Sequence, residues 1–179
     1  MNVVLIGPRG SGKTSAGRLA AASLGLQFVD LDERVLACFK ESTVAAIWAT
    51  YGEAAWRGAE ARMLEAVLGA DRQLIALGGG VPMIEDARRR LDEMRQVGRA
   101  VIAYLRCGVD GLRVRLEDHR PNRPSLTGAD PVEEVEAVLR QREPVYLALA
   151  DQVIDTDHAD VEATADAIAS WARGKANLA

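Results

Sequence analysis

A glycine-rich segment near the N-terminus carries a lysine and a threonine at a spacing suited to phosphate binding. Residues 7–14 match the pattern G-x-x-x-x-G-K-[ST]. Glycines allow backbone N–H groups to curl around phosphate oxygens, and the N-terminus of a following helix adds partial positive charge. The pattern predicts that Lys13 reaches the β- and γ-phosphates of a nucleotide and that the Thr14 hydroxyl faces Mg²⁺. The residues predicted to bind the nucleotide here are Gly10, Ser11, Gly12, Lys13, Thr14 and Ser15.

A glycine-rich turn with a solvated lysine is the alternative for this segment. Its position between an apolar run and an amphipathic segment favours the phosphate-binding loop.

Two carboxylates, Asp30 and Asp32, lie at the end of the second apolar run. If a strand continues through them, both side chains point to the same side, because side chains alternate along a strand. Beside a phosphate loop, such a pair can serve Mg²⁺ and an acceptor hydroxyl. The alternative is that Asp32 caps the next helix, with Glu33 in its first turn.

Glycines and arginines supply the other candidate groups. Gly78, Gly79 and Gly80 follow the third apolar run, which indicates a close approach of the backbone to another group, although a flexible turn is the alternative. The planar guanidinium of Arg57 suits a carboxylate ligand. Its alternative is an ordinary ion pair with Glu53 or Glu60 on a helix surface, which contributes only about 0.2–0.5 kcal/mol.

The elements that must position these groups follow from the alternation of short apolar runs with longer amphipathic segments. Five apolar runs among helices predict an α/β fold of three layers, with a five-stranded parallel sheet covered by helices on both faces. Ligands of such sheets bind at the carboxyl ends of the strands. The predicted strands are Asn2–Ile6, Gln27–Leu31, Gln73–Leu77, Ala100–Leu105 and Gln152–Asp155. The predicted helices are Lys13–Leu24, Glu33–Phe39, Thr43–Ala49, Glu53–Leu68, Glu85–Arg95, Asp110–Glu117, Pro131–Leu149 with a break or kink near Pro144, and Val161–Trp171.

Composition limits the class of protein. The 179 residues carry a net charge of −4, and they contain neither a basic block for nucleic acid nor an apolar run of about 18 residues for a membrane. Cys38 and Cys107 are far apart and form no CxxC pair, which suits a reducing cytoplasm. We therefore expect a single domain over residues 1–179, cytoplasmic, with nothing that demands more than a monomer and no nucleic-acid or membrane partner.

Six motifs in order resemble those of shikimate kinase, a member of the nucleoside monophosphate kinase-like P-loop family. They cover nearly the whole chain, and the set is far more specific than the phosphate loop alone. The motifs are the loop at 7–14, Asp30-x-Asp32, Trp56-Arg57-x-x-Glu60, Gly78-Gly79-Gly80, Arg123-Pro-Ser-Leu-Thr and Arg142-x-Pro-x-Tyr146.

The resemblance implies an ATP-dependent kinase of the shikimate 3-hydroxyl, with Mg²⁺ as cofactor and ATP and shikimate as partners. It places Asp32 on the attacking hydroxyl and Asp30, with Thr14, near the metal. It also assigns Arg57 and Arg142 to the substrate carboxylate and the glycines Gly78, Gly79 and Gly80 to the substrate pocket. Trp56 replaces the family's usual Phe, which preserves apolar packing and raises the question of pocket width.

The resemblance further implies a substrate-binding segment at about 32–62 and a mobile lid at about 118–130. Arg123 on the lid is the match for the arginine that closes over the phosphates, with Arg120 as the competing candidate. Arg115 occupies the family's place for an arginine that stacks on adenine, with Arg113 close by. Lys13, Asp32 and Arg123 are then the catalytic residues, and the segment at 155–157 resembles the family's adenine-contacting loop.

Two other classes of function remain as alternatives. One is a kinase of another small hydroxylated acid such as gluconate, or of a nucleoside monophosphate, although a nucleotide acceptor would not use a carboxylate-binding pair of arginines. The other is a regulatory module that binds ATP without phosphoryl transfer. The presence of Asp32, Arg57 and Arg123 argues against that module, because loss of one of them would mark it.

Overall fold

The computed structural model describes residues 1–117 and 134–175. Their strands form one five-stranded parallel sheet in the order β2-β3-β1-β4-β5, which confirms the predicted fold class. The strands are β1 Asn2–Ile6, β2 Gln27–Asp30, β3 Gln73–Ala76, β4 Ala100–Arg106 and β5 Gln152–Asp155. The helices within these residues are α1 Lys13–Leu24, α2 Leu31–Leu36, α3 Val44–Tyr51, α4 Glu53–Leu68, α5 Glu85–Gln96, α6 Val109–Glu117, α7 Val135–Leu149 and α8 Val161–Arg173.

The central strand β1 separates two apolar clusters. Val3 and Leu5 pack toward α1 and α8, whereas Val4 and Ile6 pack on the opposite face among residues of α4, α5 and α7. All four side chains are fully buried, because a parallel strand covered on both faces is apolar at every position. The sheet is therefore the middle of three layers, as the apolar run at 2–6 predicts.

The second strand is shorter than its sequence suggests. β2 ends at Asp30 and α2 begins at Leu31, so Asp30 and Asp32 are not successive same-side residues of one strand. The Asp30 carboxylate accepts a hydrogen bond from the Glu33 N–H at 3.2 Å and thereby caps α2, which is the stabilising contact that ends the strand. The expectation from strand alternation is therefore wrong, and Asp32 lies in the first turn of the helix.

The sequence predicts a break or kink near Pro144, and helix α7 continues through this residue without a break. Proline removes one backbone hydrogen bond, but buried residues on both sides of it, Leu139 and Tyr146, hold the two halves of the helix against the rest of the fold. None of the helices in the described residues is long and apolar enough to cross a membrane. The predicted lid at 118–130, with Arg120 and Arg123, lies outside the described residues.

Candidate active site

The phosphate loop follows β1 at the carboxyl edge of the sheet, and its shape depends on glycine. Gly10 and Gly12 have φ angles of 84° and 92°, in the left-handed region that L side chains rarely adopt. At Gly7 space is limiting as well, because a Cβ atom would lie 2.5 Å from the Leu105 carbonyl oxygen. The loop then leads into α1 at Lys13, so the backbone N–H groups of the first helical turn face the loop.

Lys13 is folded back over this loop. Its Nζ donates hydrogen bonds to the carbonyl oxygens of Gly7 at 3.0 Å and Pro8 at 2.7 Å, and the residue is only 8% exposed. Ser11 is fully buried beside it, whereas Ser15 on α1 is exposed. The ammonium group is therefore held where the loop would receive a phosphate, which is a stronger acceptor than a carbonyl oxygen.

Thr14 and Asp30 form a second contact at this edge. The Thr14 hydroxyl donates to Asp30 Oδ2 at 2.7 Å, while the other carboxylate oxygen of Asp30 caps α2. One hydroxyl and one carboxylate thus meet beside the phosphate loop and offer the oxygen atoms that Mg²⁺ prefers. In the described residues, no cluster of three or more His, Cys, Asp or Glu side chains is placed to hold a metal ion.

The three glycines that follow β3, Gly78, Gly79 and Gly80, form one short turn, which we call the glycine turn. Other groups of the site pack against this turn. A Cβ atom on Gly78 would overlap the carboxylate of Asp32, and one on Gly80 would lie 2.6 Å from an Nη atom of Arg57. A Cβ atom on Gly79 would lie 3.2 Å from the Gly7 carbonyl oxygen of the phosphate loop. None of the three has a positive φ angle, so these positions need glycine for space. The turn therefore brings together the phosphate loop, Asp32 and Arg57.

The Arg57 guanidinium is held by two glutamates of its own helix. It donates to Glu60 at 2.7 Å and, through Nε and one Nη, to Glu53 at 3.2 and 3.0 Å. Glu60 is almost fully buried, whereas the Glu53 side chain is 55% exposed and can move away. The ion pairs predicted as the alternative for Arg57 therefore exist, but they lie at the rim of a cleft.

Burial raises the pKa of the Glu60 carboxyl above its usual range, with Arg57 opposing this shift and the Asp32 carboxylate adding to it. Asp32 is therefore electrostatically linked to the Arg57–Glu60 pair. The guanidinium of Arg57 also lies 5.7 Å from the ring centroid of Trp48, which supports it from the other side.

Trp56, the residue that departs from the family's usual Phe, is 3% exposed and packs in the core. Its ring stacks against that of Phe39 with centroids 6.2 Å apart. Trp56 is not among the described residues that line the adjacent cleft. It acts on the site through the packing of α4 and through a hydrogen bond of its side chain to the Glu60 carboxyl, which lowers the pKa of that group.

A cleft of about 470 Å³ opens beside the glycine turn, and we call it the acceptor cleft. Three guanidinium groups line it, from Arg57 on α4, Arg88 on α5 and Arg142 on α7. Its other lining residues are Glu53, Gly80, Met83, Ile84, Gln141 and Val145. Cationic groups with an apolar wall suit a small ring that carries an acidic group.

Arg88 is the cleft residue that the sequence analysis missed. It belongs to a run of three arginines on a strongly charged helix, which is typical of a solvated surface. However, Arg88 directly follows the buried Ala87 and precedes the buried Leu91 by three residues, so it flanks the apolar stripe of α5. That spacing separates Arg88 from the exposed Arg89, whereas Arg90 flanks the same stripe on its other side.

Tyr146, the last residue of the sixth motif, connects α7 to the glycine turn. Its hydroxyl donates to the Gly79 carbonyl oxygen at 2.6 Å, and its ring packs on Tyr104 with centroids 5.1 Å apart. Burial raises the pKa of the Tyr146 hydroxyl to about 12, so it remains a donor at neutral pH. The helix that carries Arg142 is thereby fixed relative to the turn that contacts Arg57.

Arg115 lies on the other side of the phosphate loop. Its guanidinium donates to the Gly10 carbonyl oxygen at 3.4 Å and to the Thr156 hydroxyl and carbonyl oxygens at 3.2 and 2.5 Å. Arg113 instead lies 3.7–3.8 Å from the carboxylates of Asp110 and Glu136. Of the two arginines considered for adenine, Arg115 is therefore the one placed between the phosphate loop and the segment that follows β5.

Three comparisons with known proteins show which family this chain is similar to. A sequence profile of the family described as shikimate kinase matches residues 9–173. The shikimate kinase of Xanthomonas euvesicatoria pv. vesicatoria is 37% identical over 168 residues, covering 93% of this chain and 89% of that protein. The shikimate kinase of Methylococcus capsulatus is 37% identical over 155 residues, covering 87% and 83%. Among solved structures, shikimate kinase from Acinetobacter baumannii in complex with shikimate has a TM-score of 0.86 and 27% identity, covering 98% of this chain and 94% of that one.

Proposed function

The chain belongs to the shikimate kinase family, and we propose that it transfers the γ-phosphoryl group of ATP to the 3-hydroxyl of shikimate, giving shikimate 3-phosphate and ADP. It is accordingly a phosphotransferase with an alcohol as acceptor. The observation that carries the proposal is the glycine turn, since the phosphate loop, Asp32 and Arg57 all approach it. A phosphate-binding group, a candidate base and a carboxylate-binding group thus share one edge of the sheet.

Lys13 and the phosphate loop bind the ATP phosphates in this proposal. The Lys13 ammonium exchanges its contacts with the carbonyl oxygens of Gly7 and Pro8 for β- and γ-phosphate oxygens. The backbone N–H groups at residues 10–15 supply the remaining donors. The protein forms no covalent bond to the substrates in this proposal, because phosphoryl transfer is accelerated mainly by positioning and charge neutralisation.

Asp32 orients the acceptor. Its carboxylate accepts a hydrogen bond from the 3-hydroxyl, and that oxygen forms a bond to the γ-phosphorus while the bond between this phosphorus and the β,γ-bridging oxygen breaks. The hydroxyl proton passes to the Asp32 carboxylate, and the electron pair of the broken bond stays on ADP. The closeness of Asp32 to the glycine turn supports this role.

Thr14 and Asp30 would hold Mg²⁺. The donor set fits, because a hydroxyl and a carboxylate already meet there and Mg²⁺ keeps water and phosphate oxygens as its other ligands. When bound, the metal neutralises charge on the β- and γ-phosphate oxygens. Asp30 would serve this site in addition to capping α2.

Arg57 and Arg142 bind the shikimate carboxylate at the far end of the acceptor cleft. Arg57 keeps its buried partner Glu60 and releases the exposed Glu53, so that the shikimate carboxylate takes the place of Glu53. Paired hydrogen bonds from a guanidinium fix the orientation of a carboxylate as well as its position. The ring of shikimate is then held with its 3-hydroxyl toward Asp32.

Two groups remain for the nucleotide. Arg115 packs against adenine, and Arg123 closes over the phosphates from the segment at 118–130, where closure excludes water and limits ATP hydrolysis. Comparing Arg123→Ala with Arg120→Ala tests the second assignment, since only loss of the closing arginine lowers kcat. We also expect the enzyme to act as a cytoplasmic monomer, which sedimentation and cell fractionation check.

The experiment that tests the function is a coupled ADP-release assay with Mg-ATP, with and without shikimate. We expect ADP release that depends on shikimate, and product identified as shikimate 3-phosphate by ³¹P NMR. Gluconate and nucleoside monophosphates serve as competing acceptors. Equal release without shikimate, or faster release with gluconate, would contradict the proposal.

A further inference from the structure

Arg88 lines the acceptor cleft together with Arg57 and Arg142, the two arginines that bind the carboxylate in the proposed function. The other arginines of α5 are paired with carboxylates: Arg89 with Asp86 at 2.8 Å, Arg90 with Glu65 at 3.2 Å, and Arg95 with Asp92 at 2.6 Å. In residues 1–117 and 134–175, no hydrogen bond or ion pair engages the Arg88 side chain. Arg88 is nevertheless half-buried, and its guanidinium lines the cleft. Burial removes part of the water that would otherwise solvate this charge.

The charge balance of the cleft makes Arg88 important. Arg57 is already neutralised by Glu53 and Glu60, which occupy three of its nitrogen atoms. Asp32 adds a further carboxylate close to Glu60. The positive charge that attracts an acid into the empty cleft therefore comes from Arg88 and Arg142. Without Arg88, the two remaining guanidinium groups of the cleft, Arg57 and Arg142, would face the three carboxylates of Glu53, Glu60 and Asp32, which would weaken the attraction of an anion.

We propose that Arg88 is a third carboxylate-recognising guanidinium of the acceptor cleft and determines its specificity for acidic acceptors. The inference rests on the proposed function, and it goes beyond the arginine pair that the sequence motifs supply. In this arrangement Arg57 and Arg142 orient the substrate carboxylate. When that carboxylate displaces Glu53 from Arg57, the positive charge of Arg88 balances the negative charge of the released Glu53. Met83, Ile84 and Val145 form the apolar wall for the ring.

The test compares Arg88→Ala with Arg89→Ala, because the two variants remove the same charge from adjacent positions of one helix. Arg89 is exposed and already paired with Asp86. We expect Arg88→Ala to raise KM for shikimate roughly five- to tenfold with kcat and KM for ATP nearly unchanged, and Arg89→Ala to change none of them by more than about twofold. Arg88→Lys should recover most of the lost affinity, whereas Arg88→Gln should not.

Ionic strength gives a second measurement, and partial misfolding of a variant does not affect it, because KM does not depend on the concentration of active enzyme. KM of the wild-type enzyme for shikimate should rise with added salt, and this rise should be smaller in Arg88→Gln, since screening weakens an attraction that the variant lacks. Equal KM values for shikimate in Arg88→Ala and Arg89→Ala, or equal losses in kcat/KM for shikimate and kcat/KM for ATP in Arg88→Ala, would overturn the role of Arg88. Absence of any shikimate-dependent turnover in the wild type would instead overturn the proposed function.

Discussion

The phosphate loop is assembled from eight consecutive residues, whereas the acceptor cleft takes its arginines from three helices that lie far apart in sequence. In the loop, glycines at 10 and 12 are required by their backbone angles, and Lys13 is held by neighbouring carbonyl oxygens. In the cleft, glycines at 78 and 80 are required for space, and Arg57 is held by carboxylates. The first region is a local backbone shape, and the second is a product of tertiary packing.

This difference has a functional meaning. A phosphate chain is recognised largely by backbone N–H groups, which most side-chain substitutions leave in place. In the proposed reaction, the small acid is recognised by side chains whose positions depend on α4, α5 and α7 together. Substitutions should therefore affect catalysis at the loop and acceptor affinity at the cleft.

The largest effect is expected from a substitution in the phosphate loop. Lys13→Met should lower kcat by at least about 10²-fold, because the transferring phosphoryl group loses its ammonium partner, while KM for shikimate stays close to wild type. The coupled ADP-release assay measures both. The exposed Lys40 offers a matched control, Lys40→Met, which should leave kcat unchanged. A Lys13→Met enzyme that keeps more than a tenth of its turnover would contradict the assignment.

The next largest effect is expected from a substitution in the acceptor cleft. Arg57→Ala should raise KM for shikimate by roughly tenfold to 10²-fold with KM for ATP nearly unchanged, because a charge-assisted pair to the carboxylate is lost. It also leaves the buried Glu60 without its guanidinium, which should cost about 1–3 kcal/mol of stability. The double variant Arg57→Ala, Glu60→Gln separates the two effects, since it should restore the melting temperature but leave KM high. Restored KM in the double variant would show that Arg57 acts through Glu60 alone.

Glu60 also makes stability depend on pH in a defined direction. Its folded-state pKa is raised above the value in the unfolded chain, so the folded protein binds more protons in the window between the two values. Stability should therefore fall as pH rises from the usual glutamate range through the raised pKa. Melting temperatures between pH 4 and pH 7 should show a steeper fall in Arg57→Ala than in wild type, and Glu60→Gln should remove this contribution.

Two glycine variants compare the phosphate loop, where glycine is required by the backbone angle, with the acceptor cleft, where glycine is required for space. Gly80→Ala places a methyl group 2.6 Å from an Arg57 nitrogen, so KM for shikimate should rise roughly three- to tenfold with KM for ATP unchanged. Gly12→Ala meets no atom within 4 Å, but at a φ of 92° it should strain the loop by about 1–2 kcal/mol. That cost should appear in kcat/KM for ATP, and Gly12→Asn should recover part of it, because asparagine tolerates a left-handed backbone. Identical kinetic profiles for the two alanine variants would contradict the division between space and backbone angle.

The smallest effect concerns the link between the regions. Tyr146→Phe removes the hydrogen bond to the Gly79 carbonyl oxygen and keeps the ring against Tyr104, so it should cost about 1 kcal/mol of stability. A melting temperature lowered by roughly 2–4 °C would agree with this cost for a chain of this size. An unchanged melting temperature together with wild-type kinetics would show that this link is not needed.

The sequence predicts the sheet, its helices and the phosphate loop because each depends on neighbours in the chain. The five strands are confirmed to within one residue at their ends. β2 is one residue shorter than expected because Asp30 caps α2, β3 also ends one residue earlier, at Ala76, and β4 extends one residue further, to Arg106. Arg88 was missed for the opposite reason, since its environment comes from α4 and α7 as well as from its own helix. The glutamates around Arg57 were seen as possible partners, but only the fold shows that one is buried and the other exposed.

The glycine turn fixes a length as well as a shape. Its three residues face Asp32, the phosphate loop and Arg57 in that order, with no spacer between them. A substitution at one glycine crowds one neighbour, but an insertion or deletion between Leu77 and Val81 would shift every residue of the turn against the wrong neighbour. Chains that share this arrangement should therefore accept a changed residue in the turn more readily than a turn of different length.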